Sequence, residues 1–552
     1  MDCWTGQAII EKSQNQPAFL IETPDNFIQK PLSRQKTGYD EGSRYQASHA
    51  SPPVMLTTIS SNDAVHSTSS LTPPRQTQKA SQSFVDPLDV GNRIYHIRSL
   101  IPLFENYRPI IEPLGKYKNN TKAPEKAHDQ KFPIFTKEEL RNYLEVPESA
   151  KYNLTKSHKD TVDHLPSSYP GGIFKGKGVV FTSGGKYLPI MVTSLRMLRR
   201  VSPLIPVEVF LGSKDEYEPE VCDKLFPRLG AKCIVLEDVY GVEFFNSFDI
   251  QSYQLKSLAI LASSFEDVIF IDADNLPLRD VEESLYQEPY LSTGYIIWPD
   301  YWYRTTSTHY YDIAGIILGE RVRGDLTVTN PGEIPQADLK NAIPNKSSES
   351  GQIMISKSKH YRSLLLTVYY NINGYTAYYK LFSQGSGGEG DKETFIAAAL
   401  ALEEPVYQVK TDLRPAGRFT PDGFRGSAML QAVPYDDYEK HVLKTWPENE
   451  RPRILFVHFN MFKLNLRLLL EGEPDHYTTD ENRVRYCGKP SDNTEIFDYQ
   501  DIEYYMWREV TWAACDMPKL GINFKDWKKS DMNEMCTKAK EHLQWLVKTH
   551  SS

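Results

Sequence analysis

Two aspartates, Asp272 and Asp274, stand one residue apart at the end of an apolar run. Residues 268–271 predict a short buried strand, since Asn275 and Pro277 follow it as turn-forming residues. Carboxylates beyond the carboxyl end of a strand lie where open α/β sheets bind ligands. Their hard oxygens suit Mg²⁺ or Mn²⁺ carrying a diphosphate. A polar strand end leading into a turn is the structural alternative, but the preceding apolar run favours a metal site.

Three further residues extend this candidate metal site. His458 ends a second apolar run, at 454–457, and Lys463 follows it closely. We consider His458 a third metal ligand, with an ordinary strand-end histidine as an equal alternative. Lys256 lies on the predicted helix before the aspartates, where it either pairs with a diphosphate as a point charge or simply faces solvent.

An aromatic run, WPDYWYR, concentrates Trp298, Asp300, Trp302 and Arg304. Flat aromatic rings cover the apolar faces of pyranoses, and Asp and Arg hydrogen-bond their hydroxyls. A core cluster is the alternative, but charged and proline neighbours argue against complete burial. We therefore predict that these residues form a wall of the donor or acceptor sugar site.

A glycine-rich run, GSGGEGDKETF, leads into a predicted helix and carries Asp391 and Glu393 near its first turn. Carboxylates there also stabilise the helix dipole, which is a purely structural explanation. The glycines permit close approach of a ligand, which suits a sugar site. Glu349 and Gln352, from the run ESGQ, are further candidates for the same pocket.

The elements that must position these residues alternate between strands and helices. Apolar runs at 178–182 and 207–211 and near Cys233 predict strands, whereas 188–198 and 255–265 show the spacing of amphipathic helices. This alternation predicts an α/β fold with a mainly parallel sheet flanked by helices.

Composition excludes several functional classes. The 552-residue chain has 40% hydrophobic residues, so it contains a substantial core, and its net charge of −9 gives no electrostatic footprint for nucleic acid. A run of 18 apolar residues and a secretory signal are both missing from the sequence. The six cysteines include no C-x-x-C pair, which argues against structural zinc.

Composition also suggests three parts along the chain. Residues 1–91 are rich in Ser, Thr and Pro and are predicted to be disordered. Residues 92–170 have a mixed composition and are predicted to form a stem that packs partly on the main domain. Residues 171–552 are treated as one catalytic domain, because no break in composition divides them.

Several motifs together resemble the fungal Golgi α-1,2-mannosyltransferases that branch the mannan outer chain. The matching runs are TSGGKYLP (182–189), FIDADNLPLRD (270–280), WPDYWYRTT (298–306), ESGQIMISK (349–357), YYNINGY (369–375) and FSQGSGGEGDKETF (382–395). The resemblance implies a GT-A-type glycosyltransferase fold, Mn²⁺ or Mg²⁺ at the D-x-D, GDP-mannose as donor and retention of the anomeric configuration. It also implies a mannan or N-glycan outer-chain acceptor and a Golgi mannosyltransferase complex as partner.

The resemblance assigns roles to particular residues. Asp391 or Glu393 would grip the donor mannose or face its anomeric carbon, with Glu349 as a further catalytic candidate. Retention permits either a covalent glycosyl-enzyme or front-face transfer, and we favour the second. Three alternatives stay open: α-1,3 linkage, a catalytically silent mannoside-binding subunit, and a nucleotidyl- or phosphotransferase that uses the same aspartates.

Family members are typically type II Golgi membrane proteins with a lumenal catalytic domain, so the resemblance implies the Golgi lumen. This sequence shows no transmembrane segment. The sequons at Asn119, Asn153 and Asn345 are compatible with N-glycosylation in the lumen.

Overall fold

The computed structural model describes residues 87–125, 134–421, 423–460, 463, 465–467, 483–488 and 501–549. The segment 1–91, predicted to be disordered, lies outside these residues except for its last five positions. Within the described residues the strands form two sheets, and helices cover both faces of the larger one. The α/β prediction is confirmed.

Eleven strands are found among the described residues. They are β1 (Lys177–Thr182), β2 (Val207–Leu211), β3 (Ala231–Val235), β4 (Asp267–Ile271), β5 (Asn275–Pro277), β6 (Tyr295–Pro299), β7 (Ser348–Ser356), β8 (Tyr407–Gln408), β9 (Arg414–Thr420), β10 (Gly423–Ala432) and β11 (Ile454–His458).

The α-helices of the same residues fall into an amino-terminal group, a central group and a carboxyl-terminal pair. They are α1 (Pro87–Ser99), α2 (Ile101–Asn106), α3 (Lys137–Arg141), α4 (Glu148–His164), α5 (Leu188–Val201), α6 (Leu236–Tyr240), α7 (Val242–Phe248), α8 (Gln254–Ala262), α9 (Tyr290–Thr293), α10 (Thr308–Ala314), α11 (Lys357–Ile372), α12 (Tyr379–Ser383), α13 (Thr394–Ala401), α14 (Pro434–Tyr438), α15 (Ile502–Cys515) and α16 (Met532–Lys548).

The larger sheet has seven strands in the order β3-β2-β1-β4-β7-β6-β8. Strands β1 to β4 are parallel, as predicted, and the apolar runs of β1, β2 and β4 are buried because helices cover both faces. Strand β7 runs antiparallel between β4 and β6. This pairing places Gln352 opposite Ile271, at the edge where the two aspartates follow.

The smaller sheet has the order β5-β11-β10-β9, with every pair antiparallel. Its register aligns Asn275, His458, Met429 and Pro415 in one row across the four strands. Strand β5 begins directly after Asp274, so pairing with β11 brings His458 beside the two aspartates. A histidine almost two hundred residues away in sequence therefore reaches the edge of β4.

Two hydrophobic clusters hold these layers together. One joins α5, α15 and α16 to one side of the sheet, and the ion pair Arg196–Glu509 (2.7 Å) links α5 to α15. The other contains α8, α11 and α13 together with side chains of the first helices, including the fully buried Ile97, Phe104 and Leu154. The helices of 87–164 thus contribute to a shared core, while the proposed boundary at residue 170 stays a prediction.

Two disulfides cross-link the described part of the chain. Cys222 bonds to Cys233 in the middle of β3, and Cys515 of α15 bonds to Cys536 of α16. The sequence alone did not determine this pairing. Each disulfide closes a short loop within the region predicted to be catalytic.

Glu503, at the start of α15, is expected to make stability fall as pH rises. Its carboxylate accepts the N–H groups of Tyr486 (3.0 Å) and Cys487 (3.1 Å), and burial outweighs these bonds and raises its pKa to about 7. Between pH 4.5 and pH 7 the folded protein therefore holds a proton that the unfolded chain has lost. Over this range the contribution of Glu503 to the free energy of unfolding declines by about 3 kcal/mol.

The measurement is chemical denaturation of the wild type and Glu503→Gln at pH 5 and pH 8. Wild-type stability should decline relative to the variant by roughly the amount that linkage gives between these pH values. A difference between the two proteins that does not change with pH would contradict the prediction.

Candidate functional site

The candidate site lies at the carboxyl end of β4, where Asp272, Asp274 and His458 come together. Nε2 of His458 lies 3.2 Å from Oδ1 of Asp274, and the ligand atoms of all three residues lie within 4.8 Å of one another. Two carboxylates and an imidazole at this separation can hold one cation between them. The structure therefore brings the three predicted metal ligands into one cluster.

Backbone and amide contacts fix the loop that carries the aspartates. The N–H of Asp272 donates to the carbonyl of Gly351 (2.8 Å), and the N–H of Phe459 donates to the carbonyl of Asp274 (3.0 Å). The buried side chain of Asn275 donates to Oε1 of Gln352 (2.6 Å). Gln352 is itself fully buried beneath the site, and its Nε2 lacks a hydrogen-bond partner within the described residues.

Both predicted lysines reach the aspartates. Nζ of Lys256 lies 2.8 Å from Oδ2 of Asp272 and 3.7 Å from Oδ2 of Asp391, and Lys463 forms an ion pair with Asp274. Burial alone would lower the pKa of Lys256, but the carboxylates outweigh it and raise that pKa. The alternative prediction, that Lys256 simply faces solvent, therefore does not agree with the structure.

Asp391 lies on the other side of Lys256 and is 3% exposed. Its Oδ1 accepts a hydrogen bond from the hydroxyl of Ser350 (3.2 Å). Burial raises the pKa of Asp391 to about 6, although Lys256 opposes that shift and Asp272 adds to it. Lys256 thus joins the aspartates of the D-x-D to the glycine-rich run.

Glu349 stands behind the histidine. Its Oε1 accepts the N–H of Gly351 (2.7 Å) and lies 3.6 Å from Nδ1 of His458. A carboxylate on the far nitrogen of a metal-binding histidine orients the ring and increases its basicity. Burial raises the pKa of Glu349, whereas that of His458 is raised because Asp274 and Glu349 outweigh its burial.

The charges of the cluster fit a divalent cation. Burial alone would raise the pKa of Asp274, but Lys463 and His458 outweigh it and hold that pKa well below its usual range. With His458 neutral, as a metal ligand must be, and the other groups ionised, the carboxylates exceed the lysines by two negative charges, which a divalent cation would neutralise. The groups counted are Asp272, Asp274, Glu349 and Asp391 against Lys256 and Lys463.

Gly351→Ala is expected to weaken metal binding by about 10- to 100-fold, the usual cost of disturbing a ligand's support. A Cβ at this position would lie 2.6 Å from Nδ1 of His458 and 3.1 Å from Oε1 of Glu349, so the imidazole would have to move. Calorimetric titration with Mn²⁺ measures the change. Gly115→Ala is the matched control, because its Cβ would meet no atom within 4 Å; equal affinities in the two variants would contradict the expectation.

Trp298 corrects the predicted sugar-binding wall. Its ring is fully buried, its Nε1 donates to the carbonyl of Ala432 (2.9 Å), and it packs edge-to-face on Phe456. A ring enclosed in this way has no face to offer a sugar. Trp298 is a core residue that joins the two sheets.

Arg304 and Glu393 also lie in the interior. Each side chain is 2% exposed, the two form an ion pair, and Glu393 also accepts a hydrogen bond from the hydroxyl of Ser347 (2.7 Å). Arg304 donates to the carbonyl of Pro344 (2.8 Å). The assignment of Glu393 to the anomeric carbon and of Arg304 to sugar hydroxyls is therefore corrected: the pair anchors the segment before β7 to the start of α13.

The other two residues of the aromatic run lie nearer the surface or beside the site. Asp300 pairs with Lys392 (2.5 Å), the residue after Asp391. Trp302 is half-buried and meets Tyr301 edge-to-face at 5.5 Å between ring centroids. Of the predicted wall, Trp302 keeps an accessible ring surface.

The three predicted glycosylation sites differ in accessibility. Asn119 and Asn345 are exposed, whereas Asn153 is half-buried and its side chain donates to the carbonyl of Ile110 (3.3 Å). Oδ1 of Asn345 accepts the N–H of Arg304 (3.1 Å). N-glycosylation at these positions stays a prediction.

Sequence reasoning missed two tyrosines beside the charged cluster. The pKa of Tyr187 is raised by burial, with Asp274 adding to the shift and Lys463 opposing it, which places the phenol near both. The ring of Tyr253 lies against Gly390, where a Cβ would be 3.2 Å from it. The available signal was their position in the sequence, since Tyr187 lies within the run TSGGKYLP and Tyr253 stands three residues before Lys256.

Comparison with known proteins identifies relatives of this chain. Residues 176–432 match a mannosyltransferase family model, Mannosyl_trans3. The α-1,2-mannosyltransferase MNN21 of Candida albicans is 34% identical over 500 residues, covering 82% of this chain and 75% of the relative. MNN2 of Saccharomyces cerevisiae is 42% identical over 318 residues, covering 55% and 53%, and MNN5 of that yeast is 30% identical over 502 residues, covering 79% and 84%.

The solved structures that are similar to this chain include two glycosyltransferases. GlyE of Streptococcus pneumoniae gives a TM-score of 0.26 at 11% identity, covering 43% of this chain and 45% of that one. The galactosyltransferase LgtC gives 0.26 at 13% identity, covering 44% and 76%. The mainly parallel sheet with Asp272 and Asp274 at its edge is itself the arrangement of a GT-A-type fold. By sequence, the chain belongs to the fungal α-1,2-mannosyltransferase family.

Proposed function

We propose that this protein is a metal-dependent, retaining α-mannosyltransferase that takes mannose from GDP-mannose. Its acceptor is a mannan or N-glycan outer-chain mannoside, and its product carries an α-1,2 branch. The observation that carries the proposal is the cluster of Asp272, Asp274 and His458 with a lysine on each aspartate, in a chain of this family.

The ligand set supports Mn²⁺ over Mg²⁺. Mg²⁺ is bound mainly by oxygen in strict octahedral geometry, whereas imidazole binds the later divalent metals better. His458 supplies the imidazole beside the two carboxylates. When bound, such an ion acts as a Lewis acid that neutralises charge on the leaving diphosphate.

The protein's own residues account for the remaining needs of the reaction. Lys256 and Lys463 place two positive charges at the edge where a diphosphate would lie, and Trp302 has ring surface available for a sugar. Asp391 is already engaged by Lys256 and the hydroxyl of Ser350. Front-face transfer, in which the departing phosphate oxygen accepts the proton of the acceptor, needs no dedicated nucleophile, and we propose it over a covalent glycosyl-enzyme.

The Golgi lumen, and assembly with other mannosyltransferases there, belong to the same proposal. The two disulfides support an oxidising compartment, because such bonds form and persist along the secretory pathway. Among the helices described, none combines the length and the apolar character needed to cross a bilayer.

GDP release from GDP-mannose by the full chain tests the proposal, with α-1,6-mannobiose as acceptor and Mn²⁺ either added or chelated. NMR of the product identifies the linkage and the anomeric configuration. Metal-dependent release that needs the acceptor and yields an α-1,2 product is the expected result. An α-1,3 product would mean that the proposed α-1,2 linkage is wrong. Turnover of nucleoside triphosphates without a sugar acceptor, or mannoside binding without turnover, would overturn the proposal in favour of a different enzyme or a binding subunit.

A further inference from the structure

The β9–β10 hairpin extends beyond the metal-site edge of the smaller sheet. Strand β10 pairs with β11 from Met429 to Ala432, and Met429 lies opposite His458 at the end of β11. The pairing of β10 with β9 continues past this point to Gly423. The hairpin therefore projects from the same edge at which His458 joins the two aspartates.

One face of the hairpin continues the row that contains His458. Directly paired residues of neighbouring strands point to the same side of a sheet, so Met429 and Pro415 share the face of His458. Alternate residues along a strand return to the same face, which places Gly417 and Phe419 of β9 on it as well. Phe424 lies directly opposite Phe419 and joins them.

These three residues, Gly417, Phe419 and Phe424, are named here the aromatic strip. The two rings meet edge-to-face with centroids 5.3 Å apart, and Phe419 is 76% exposed. The ring of Phe424 covers Gly417, since a Cβ there would lie 2.7 Å from it. Covering a strand glycine accounts for Phe424 as a structural residue. Phe419 packs on Phe424 as its cross-strand partner, but most of its ring is left exposed to solvent.

The opposite face of the hairpin also contacts the rest of the domain. Ala416 lies in the core opposite Ala428, and the guanidinium of Arg418 lies over the ring of Tyr486 at 4.8 Å. On the face of the strip, the amide of Gln431 donates to the carbonyl of Pro299 (2.9 Å). The face that the strip continues therefore contacts Pro299, three residues before Trp302.

We propose that the aromatic strip is an acceptor subsite, which holds sugar residues of a mannoside chain beyond the one that receives mannose. The inference rests on the proposed function and adds to it a preference for extended acceptors. Exposed aromatic rings bury the apolar faces of pyranoses while the sugar hydroxyls stay in water. Phe419 lies four residues along β9 from the row of His458, roughly 14 Å, a reach that suits a chain rather than a single sugar.

A membrane contact would also use exposed phenylalanines, but the geometry favours the glycan. The strip continues the face of a candidate metal ligand, and another residue of that face, Gln431, contacts Pro299. An acceptor seated on it would point its end at the cluster of Asp272, Asp274 and His458.

The test compares the full-length wild type with Phe419→Ala and Phe419→Trp on two acceptors, methyl α-mannoside and α-1,6-mannotetraose. For Phe419→Ala the ratio of kcat/KM on the tetrasaccharide to that on the monosaccharide should fall about tenfold, mainly through KM, because one exposed ring loses its sugar contact. Phe419→Trp should keep the wild-type ratio. Tyr95→Ala, an exposed aromatic (78%) on α1, is the matched control and should also keep it.

Calorimetric binding of the tetrasaccharide to the same proteins keeps the inference separate from the proposed function. If no protein transfers mannose, the function fails, yet weaker tetrasaccharide binding by Phe419→Ala than by Tyr95→Ala would still support the subsite. Equal binding and an unchanged kcat/KM ratio would overturn it. Loss of binding to phosphatidylcholine–phosphatidylserine vesicles in Phe419→Ala, with the acceptor ratio unchanged, would overturn it in favour of a membrane contact.

Discussion

Asp274→Asn is expected to lower kcat for mannose transfer by about 10³-fold, because metal-assisted charge stabilisation is worth several kcal/mol and each 1.4 kcal/mol is tenfold in rate. Asp274 is the residue on which the cluster converges, since both His458 and Lys463 contact its carboxylate. Asparagine keeps the shape of the side chain but removes the negative charge. The cation would then lose a ligand, while Lys463 would lose its partner.

GDP release at saturating acceptor gives kcat, and Mn²⁺ titration by calorimetry reports metal affinity on the same samples. Both should fall together in Asp274→Asn. Asp325→Asn, the same change at an exposed carboxylate, should match the wild type in both. Normal metal affinity combined with lost turnover would show that Asp274 is needed for something other than holding the cation.

Much of the sheet and the metal cluster follows from patterns close together in the sequence. An apolar run before Asp272 predicts both a buried strand and the edge at which its carboxylates lie, and β4 begins one residue before the predicted run. The predicted helix at 188–198 is found as Leu188–Val201 for the same reason, since its apolar spacing is a local property. Residues 497–514 and 535 to about 548 also predict helices, and these are found as Ile502–Cys515 and Met532–Lys548, with residues 497–500 outside the described part of the chain.

The errors arise where partners are distant in sequence. The run WPDYWYR contains both Trp298 and Trp302, and the sequence does not distinguish them. In the structure Trp298 lies in the core, where its indole N–H donates to the carbonyl of Ala432. Glu393 and Asp391 are two residues apart, but only Glu393 reaches Arg304. The residue types indicate which contacts such side chains can make. Which of them face the site depends on the position of β7 between β4 and β6 in the sheet.

The antiparallel strand β7 connects the interior pair of Arg304 and Glu393 to the metal cluster. Ser348 and Glu349 begin this strand, and their neighbours touch both the metal cluster and the interior pair. The backbone N–H of Ser348 donates to Glu393 (3.2 Å), while Oε1 of Glu349 faces His458. The interior pair thus sets the start of the strand whose next residues support the cluster, so Arg304 and Glu393 are positioning residues.

Arg304→Met is expected to destabilise the protein by about 3 to 5 kcal/mol, because it leaves the carboxylate of Glu393 buried without its ion partner. Glu393→Met should cost a similar amount, because it leaves the guanidinium of Arg304 buried without its ion partner. Both side chains are 2% exposed, so water cannot replace the missing charge. The double variant Arg304→Met/Glu393→Met buries no unpaired charge, and its cost should fall below the sum of the single variants by roughly 1 to 3 kcal/mol.

Guanidinium denaturation of the four proteins measures this coupling. Lys156→Met is the matched control, because its ion pair with Asp160 (2.6 Å) lies at the surface with the lysine 64% exposed, and it should leave stability unchanged. Strictly additive costs would show that the pair contributes no coupling. Since Ser348 depends on Glu393 for its N–H bond, the single variants should also weaken Mn²⁺ binding below their unfolding transition, and the control should not. Unaltered metal affinity in folded Arg304→Met would mean that the interior pair stabilises the domain without positioning the cluster.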